Sequence, residues 1–340
     1  MTELPARHKP PTIREVARAV GVSTALVSIV FRGAPGASET TRARVFAAAE
    51  QLGYRANRTA SLMKLRHTKH LGVTINVRSA FQAELAEEIH AAAAQLGYEI
   101  VLSLITAAHD ENHAIETLMG FRCESAIMLG SQLAETRLGE LARELPLVLV
   151  GRRAVLGNVD VVRSGDHHGQ ALVVEHLAGL GHRDIVHVDG GQQPISVQRR
   201  QGYRAAMRRH GLGDHVRVLS GGDSERDGHR AATELLRHQQ LPTAVSAFND
   251  DCALGVIDTL AKAGVQVPGD CSVTGYDNSL VARLTAIDLT SVSQEPPALA
   301  QAAVRAAIDR LEGRAADTTD TVLEPRLVAR GSSSAPGNLP

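Results

Sequence analysis

From Leu71 onward the chain alternates short runs of β-branched and aliphatic residues with amphipathic stretches; the runs are LGVTIN, YEIVLSLI, SAIMLG, PLVLVG, DIVHVDG, TAVSAF and CSVTGYD. Runs this short and this apolar read as strands covered on both faces, and the stretches between them as the covering helices. The expected fold class is α/β, a doubly wound parallel sheet, and a length of 340 residues favours two such lobes with a ligand held in the cleft at their strand ends. A hydrophobic fraction of 44% and a charged fraction of 21% suit a globular chain, and no apolar stretch approaches the roughly 20 residues that span a bilayer. The opening MTELPARHKPP lacks the apolar run of a secretory signal, so a cytoplasmic location without a membrane partner is expected. Cys123, Cys252 and Cys271 show no C-x-x-C spacing, which argues for buried, inert thiols and against a disulfide framework or a thiolate zinc site.

Charge is distributed unevenly. Residues 1–70 hold 12 Lys and Arg against 4 Glu, a net of +8, and the remainder carries −9. One end is therefore built for a polyanion. That end also has helical periodicity, which a solvated basic tail lacks. Thr12 and Glu15 have capping-box spacing, Ile13, Val16, Ala17 and Val20 recur at i, i+3, i+4 and i+7, and Gly21 permits a tight turn. Ser23 is positioned to cap a second helix whose Val27 and Val30 point inward, leaving Thr24, Ala25, Ser28 and Ile29 on one outward stripe. A third helix, capped by Ser38 and stopped by Gly53, turns Val45, Ala48, Ala49 and Leu52 inward. Three short helices with a Gly turn between the first two describe a helix-turn-helix head.

The stretch TIREVARAVGVSTALVSIVFRG, with the later SETTRARVFAAAEQLGYRAN, resembles the N-terminal domain of the LacI/GalR family of bacterial transcriptional regulators. The resemblance continues through VVEHLAGLGHRDIVHVDGG, RRQGY, FNDDCALG, VPGDCSVTGYDNS, LTSVSQ and LVARGSS, and so covers most of the chain. It implies a helix-turn-helix head in front of a two-lobed, periplasmic-binding-protein-like core, working as a homodimer on a double-stranded DNA operator. The implied division is 1–56 as head, 57–69 as hinge segment, 70–178 with 295–320 as the N-terminal lobe, 179–294 with 321–332 as the C-terminal lobe, and 333–340 as a disordered tail.

Within that resemblance the base-reading positions fall on Thr24, Ala25 and Ile29, with Ser28 on the same stripe. Ala25 and Ile29 cannot hydrogen-bond a base edge but can pack on a thymine methyl, so this helix is expected to read methyls and shape, with A·T pairs opposite Ile29. Phosphate contacts are expected from Arg14, Arg32, Arg42 and Arg55. In the hinge, Met63, or Leu62 one register earlier, stands where the family wedges a minor-groove step open, beside Asn57. The resemblance places effector contacts at Arg199, Asn249, Asp277 and Gln294, with Asn76 and Phe81 from the first lobe. Phe248 is a candidate for stacking on a ligand ring, and His168 lies where some members carry a ligand-facing acid. The Arg199 fork and the Asp277 carboxylate suit vicinal hydroxyls of a sugar or a carboxylate on a corepressor, and Asp250 is expected to cap the next helix.

Enzyme readings find little support. No P-loop, G-x-G-x-x-G or G-x-S-x-G occurs, and HDENH offers His109 and His113 at i, i+4 without an evident third ligand, so neither metal nor cofactor is expected. A transport-type solute-binding protein would share the two lobes but not the DNA-reading head. The expected role is a ligand-responsive regulator, most simply a repressor, with a sugar or related metabolite as effector; an activator or a corepressor-dependent member with a non-sugar ligand is the alternative.

Overall fold

A computed structural model describes residues 11–31, 33–54, 67–238, 240–315 and 317–337. The chain divides into two compact units, Met1–Thr68 and Lys69–Pro340.

The first unit is three helices, α1 (Ile13–Val20), α2 (Thr24–Phe31) and α3 (Glu39–Leu52). The Glu15 carboxylate accepts from both the amide and the hydroxyl of Thr12, at 2.6 and 2.9 Å, and so fixes the start of α1. Gly21, at φ 72°, turns the chain through the left-handed region, and the Ser23 hydroxyl then accepts the Leu26 amide at 3.1 Å to start α2. Val16, Ala17, Val20, Val27, Val30, Val45 and Ala49 form the core, and Phe31 meets Phe46 and Tyr54 edge to face. Leu52, expected inward, is instead exposed, because the last turn of α3 runs past this small core.

The second unit holds two parallel sheets. The first has the order β11-β5-β4-β3-β1-β2, built from β1 (His70–Asn76), β2 (Glu99–Ile105), β3 (Ser125–Leu129), β4 (Leu147–Val150), β5 (Val159–Ser164) and β11 (Asp320–Leu323). The second has the order β7-β6-β8-β9, from β6 (Ile185–Val188), β7 (Arg217–Leu219), β8 (Ala244–Ser246) and β9 (Ser272–Thr274). β10 (Ser291–Ser293) and β12 (Arg326–Val328) form a separate antiparallel pair. Helices α4 (Ala80–Gln95) and α11 (Pro296–Leu311) pack together on the first sheet, with α5 (Glu111–Gly120) and α6 (Glu135–Leu141) also on this lobe. The second lobe carries α7 (Asp166–Gly179), α8 (Ser196–Arg209), α9 (Glu225–Leu235) and α10 (Asp250–Lys262). Each sheet thus has two apolar cores, and the doubly wound expectation holds.

The lobe boundaries differ from the expected ones. α7 packs on α8, β10 and β12, so the chain leaves the first lobe at Gly165 and not at 178. β11 pairs in parallel with β5, so residues 321–323 belong to the first lobe and not the second. Residues 333–337 are not a loose tail: Ser334 donates its amide to the Ser272 hydroxyl at 3.1 Å, and its carbonyl lies 2.8 Å from the His182 ring.

Candidate functional site

In the head, α2 buries Val27 and Val30 and turns Thr24 and Ala25 to solvent, although apolar residues run round the whole helix. Ser28 and Ile29 are half-buried at the edge of that outward stripe. Ile29 leans toward the loop at Gly36 and takes no part in the core cluster. Arg14 is exposed at the start of α1. Arg42 is partly engaged, donating to the Ala34 carbonyl at 2.5 Å, and Arg44 donates to the Val20 carbonyl at 2.8 Å, satisfying an orphan acceptor at the end of α1. Arg32, Arg55, Asn57, Leu62 and Met63 lie outside the described residues.

The second unit encloses a cavity of about 820 Å³ between its lobes. It lies at the carboxyl ends of the strands: Asn76 ends β1, Leu129 ends β3, Val150 ends β4, and Phe248 and Asp277 follow β8 and β9. Asn76, Phe81, Arg199, Phe248, Asn249, Asp277 and Gln294 all line it. His168 does not. It is exposed on α7, and the acid at that corner is Asp166, two residues earlier and buried.

Arg199 anchors the second-lobe wall. Its Nε donates to Asp166 Oδ1 at 2.8 Å, Nη1 donates to the Phe248 carbonyl at 2.6 Å, and Nη2 lies 3.6 Å from Asp277 Oδ1. The guanidinium also sits over the rings of Tyr276 and Phe248, 3.6 and 4.6 Å from their centroids. Burial opposes its charge, but the carboxylates of Asp166 and Asp277 outweigh that effect and raise its pKa. Asp277, at φ 106°, is held by the Gln294 amide at 2.6 Å. Burial raises its pKa well above the usual carboxylate value, against the pull of Arg199 and with the help of Asp250. Arg199 is thus already paired with two acids, so it offers a ligand N–H donors and little uncompensated charge.

The helix cap expected at Asp250 is supplied by Asn249, whose Oδ1 accepts the Cys252 amide at 2.9 Å while its Nδ2 donates to the Asp223 carbonyl at 2.9 Å. Asp250 turns the other way and accepts from the amide and hydroxyl of Ser279 and the hydroxyl of Ser291, tying α10 to the 277–293 segment.

Several lining residues escaped the sequence reading: Glu111, Gln132, Arg152, Gln193, Asp223 and Asp251. HDENH, weighed above as a metal pair, has another role. Asp110 caps α5 through the His113 amide at 3.0 Å, Glu111 enters the cavity wall, and His109 stacks on His113 with centroids 4.3 Å apart. Among the described residues no group of three or more His, Cys, Asp or Glu is placed to hold a metal. Across the cleft, Gln132 Nε2 donates to Gln193 Oε1 at 3.0 Å, and within the second lobe Gln193 in turn donates to Asp223 at 2.7 Å. Elsewhere, Glu84 on α4 accepts from the Leu280 amide and the Arg283 guanidinium.

Comparison with known proteins follows this division. Residues 12–57 match the family model described as bacterial regulatory proteins, lacI family, and residues 174–333 match a periplasmic binding protein-like domain. The HTH-type transcriptional regulator GalR of Escherichia coli is 30% identical over 332 residues, 96% of each chain. A LacI transcriptional regulator from a Rhodococcus species superposes with a TM-score of 0.77 at 41% identity, covering 79% of this chain and all of that one. The Lac repressor dimer bound to operator and the anti-inducer ONPF superposes with a TM-score of 0.81 at 26% identity, covering 96% of this chain and all of that one.

Proposed function

Because the chain belongs to the lacI family of bacterial regulatory proteins and is therefore a DNA-binding transcriptional regulator, not an enzyme, we propose that it is a repressor acting as a homodimer on a pseudo-palindromic operator. A small molecule in the interlobe cavity, without metal or cofactor, sets its DNA affinity. The observation that carries this reading is α2: a capped helix with its valines buried and Thr24, Ala25 and Ile29 kept out of the core. A recognition surface of this kind positions methyl and hydroxyl groups for the major groove, and the basic head supplies phosphate attraction. The place of action is the cytoplasm, where the DNA is; no helix among the described residues is long and apolar enough to cross a membrane.

A second copy is favoured by two features. Leu102 and Leu104 stand about half exposed, at 50% and 48%, on edge strand β2, a surface that pairing would cover. A single head of three short helices also contacts only a few base pairs, so two heads one helical turn apart are needed for specificity. The cross-cleft links through Gln132, Gln193 and Glu84 give a ligand something to act on, since any molecule that strengthens or breaks them changes the relative position of the lobes.

Selection of duplexes from a random pool by the full chain tests the proposal. The expected product is two inverted half-sites about one helical turn apart, bound with an affinity that falls steeply with salt. Recovery of sequences without two-fold symmetry would remove the homodimeric operator reading.

A further inference from the structure

The contact between Glu84 and the segment that follows β9 joins the two lobes without passing through the cavity, and we infer that it is a clasp: it holds the lobes together whether or not a ligand fills the space between them. A ligand then shifts a lobe equilibrium that the chain itself has already set. The regulatory meaning of the clasp rests on the reading of the cavity as the effector site, but the clasp can be measured without any ligand.

On the first lobe, Glu84 lies one turn into α4, between Gln82 and Leu85, which line the cavity. Its Oε1 accepts the Leu280 amide and its Oε2 accepts from the Arg283 guanidinium, so one carboxylate takes two donors from the other lobe, one for each oxygen. Bonds to a charged acceptor are stronger than bonds between neutral groups. Glu84, Leu280 and Arg283 do not line the cavity. A ligand there neither supplies an atom of the clasp nor competes for one.

The second-lobe side is fixed in advance. Asp277 and Asn278, at φ 106° and 50°, take the chain through the left-handed region, which costs free energy for residues other than glycine and persists only under restraint. That restraint comes from side chains: the Ser291 hydroxyl accepts the Asn278 amide at 3.0 Å, Asp250 Oδ2 accepts from the amide and hydroxyl of Ser279 at 2.7 and 2.9 Å, and the Arg330 guanidinium donates to Asn278 Oδ1 at 2.6 Å. The turn thus presents the Leu280 amide and, through the short 3-10 helix Val281–Arg283, the guanidinium to Glu84 with little freedom left to lose. It also begins at Asp277, whose carboxylate stands in the cavity wall beside Arg199, so a displacement there reaches the clasp within three residues.

The other cross-cleft contact is of a different kind. Gln132 and Gln193 both line the cavity, and their bond joins two neutral amides in an exposed position. Water and any polar group of a ligand compete for it. Of the two contacts, the one at Glu84 keeps its strength when the contents of the cavity change.

The test is the distance between the lobes in the full chain without ligand, read by double electron–electron resonance between nitroxides on Glu116→Cys in α5 and Glu234→Cys in α9. Both positions are exposed, and Cys123, Cys252 and Cys271 are buried. Labelled chain is diluted into unlabelled chain so that only distances within one chain are read. The parent is expected to show one dominant short distance. Glu84→Ala should add a longer one and raise the ratio of long to short about tenfold, and Arg283→Ala should shift it the same way by less, because the Leu280 amide keeps its acceptor. Glu84→Arg combined with Arg283→Glu restores the ion pair and should return most chains to the short distance. The clasp is overturned by a parent that samples both distances equally, by distributions that coincide in the parent and both alanine variants, or by a longer distance that the reversed pair leaves unchanged. Every arm omits ligand, so none of these outcomes decides the effector reading, which fails separately if no small molecule binds the cavity.

Discussion

Replacing Gly202 with Ala perturbs the contact on which the cavity wall depends. Helices α7 and α8 approach so closely there that a Cβ on Gly202 would lie 2.3 Å from the His167 carbonyl oxygen, against about 3.4 Å for ordinary contact. The obstructing atom is backbone, so the helices must separate by about 1 Å. Arg199 is one turn before Gly202, and Asp166 is the neighbour of His167. The same separation stretches the 2.8 Å Arg199–Asp166 bond to nearly 4 Å, beyond hydrogen-bond reach. Overpacking of this kind costs about 1–3 kcal/mol, and loss of a buried ion pair costs about 3–5 kcal/mol when complete. The better helix propensity of Ala offsets at most about 1 kcal/mol. The net expectation is destabilisation of the second unit by about 2–4 kcal/mol. The chain has no Trp, so unfolding is followed by far-UV circular dichroism in denaturant. Gly179→Ala is the control, since a Cβ there meets nothing within 4 Å. Gly202→Ala unfolding within about 0.5 kcal/mol of the parent chain would refute the close-approach argument.

Other predictions follow from single contacts. Ile29→Arg should move the base preference at its position from A·T toward G·C in a selection experiment, since a methyl contact is replaced by a fork that reads guanine. Ser23→Ala should destabilise the head by about 1 kcal/mol through loss of the hydrogen bond that the Leu26 amide donates to the Ser23 hydroxyl, read as an earlier melting of the head. His187 is buried, with its pKa lowered from 6.5 to about 4, chiefly by desolvation. A depressed folded-state value means its contribution is present above pH 6.5 and is lost as pH falls toward 4, up to about 3 kcal/mol. Unfolding measured across that range should show the loss in the parent chain and a flatter profile in His187→Phe; equal slopes would assign the acid sensitivity elsewhere.

Local signals carried the head and most strands. The Thr12 to Glu15 spacing, the valine period of α2 and the glycine stops at Gly21 and Gly53 depend only on near neighbours, and each is found where its pattern puts it. Strand β5, VDVVRS, was not visible as a strand because two of its six residues are charged. Asp160 is nevertheless buried, its charge answered by Arg310 at 2.8 Å and by the Thr319 amide, both about 150 residues away. No local pattern announces a partner at that distance. The same reason hid β11, four residues that become a strand by pairing with β5, and with it the true crossing points between the lobes. In the cavity, Arg199, Asp277 and Gln294 stood out through their resemblance to a known pattern. Glu111, Asp223 and Asp251 come from loops and first helical turns that meet only when the lobes do. His168 was misplaced by one helical direction: at N3 of α7 it points outward, while Asp166 at N1 points in toward Arg199.

Under the proposed function, occupancy of the cavity and grip on DNA are linked. Fluorescence anisotropy of the full chain on its selected operator, at fixed salt, with and without a saturating cavity ligand found by thermal shift, measures that link directly. The predicted result is an operator Kd changed by about fivefold or more, with ligand affinity changed by the same factor when operator is present. An operator Kd that stays the same while the ligand demonstrably fills the cavity would contradict it.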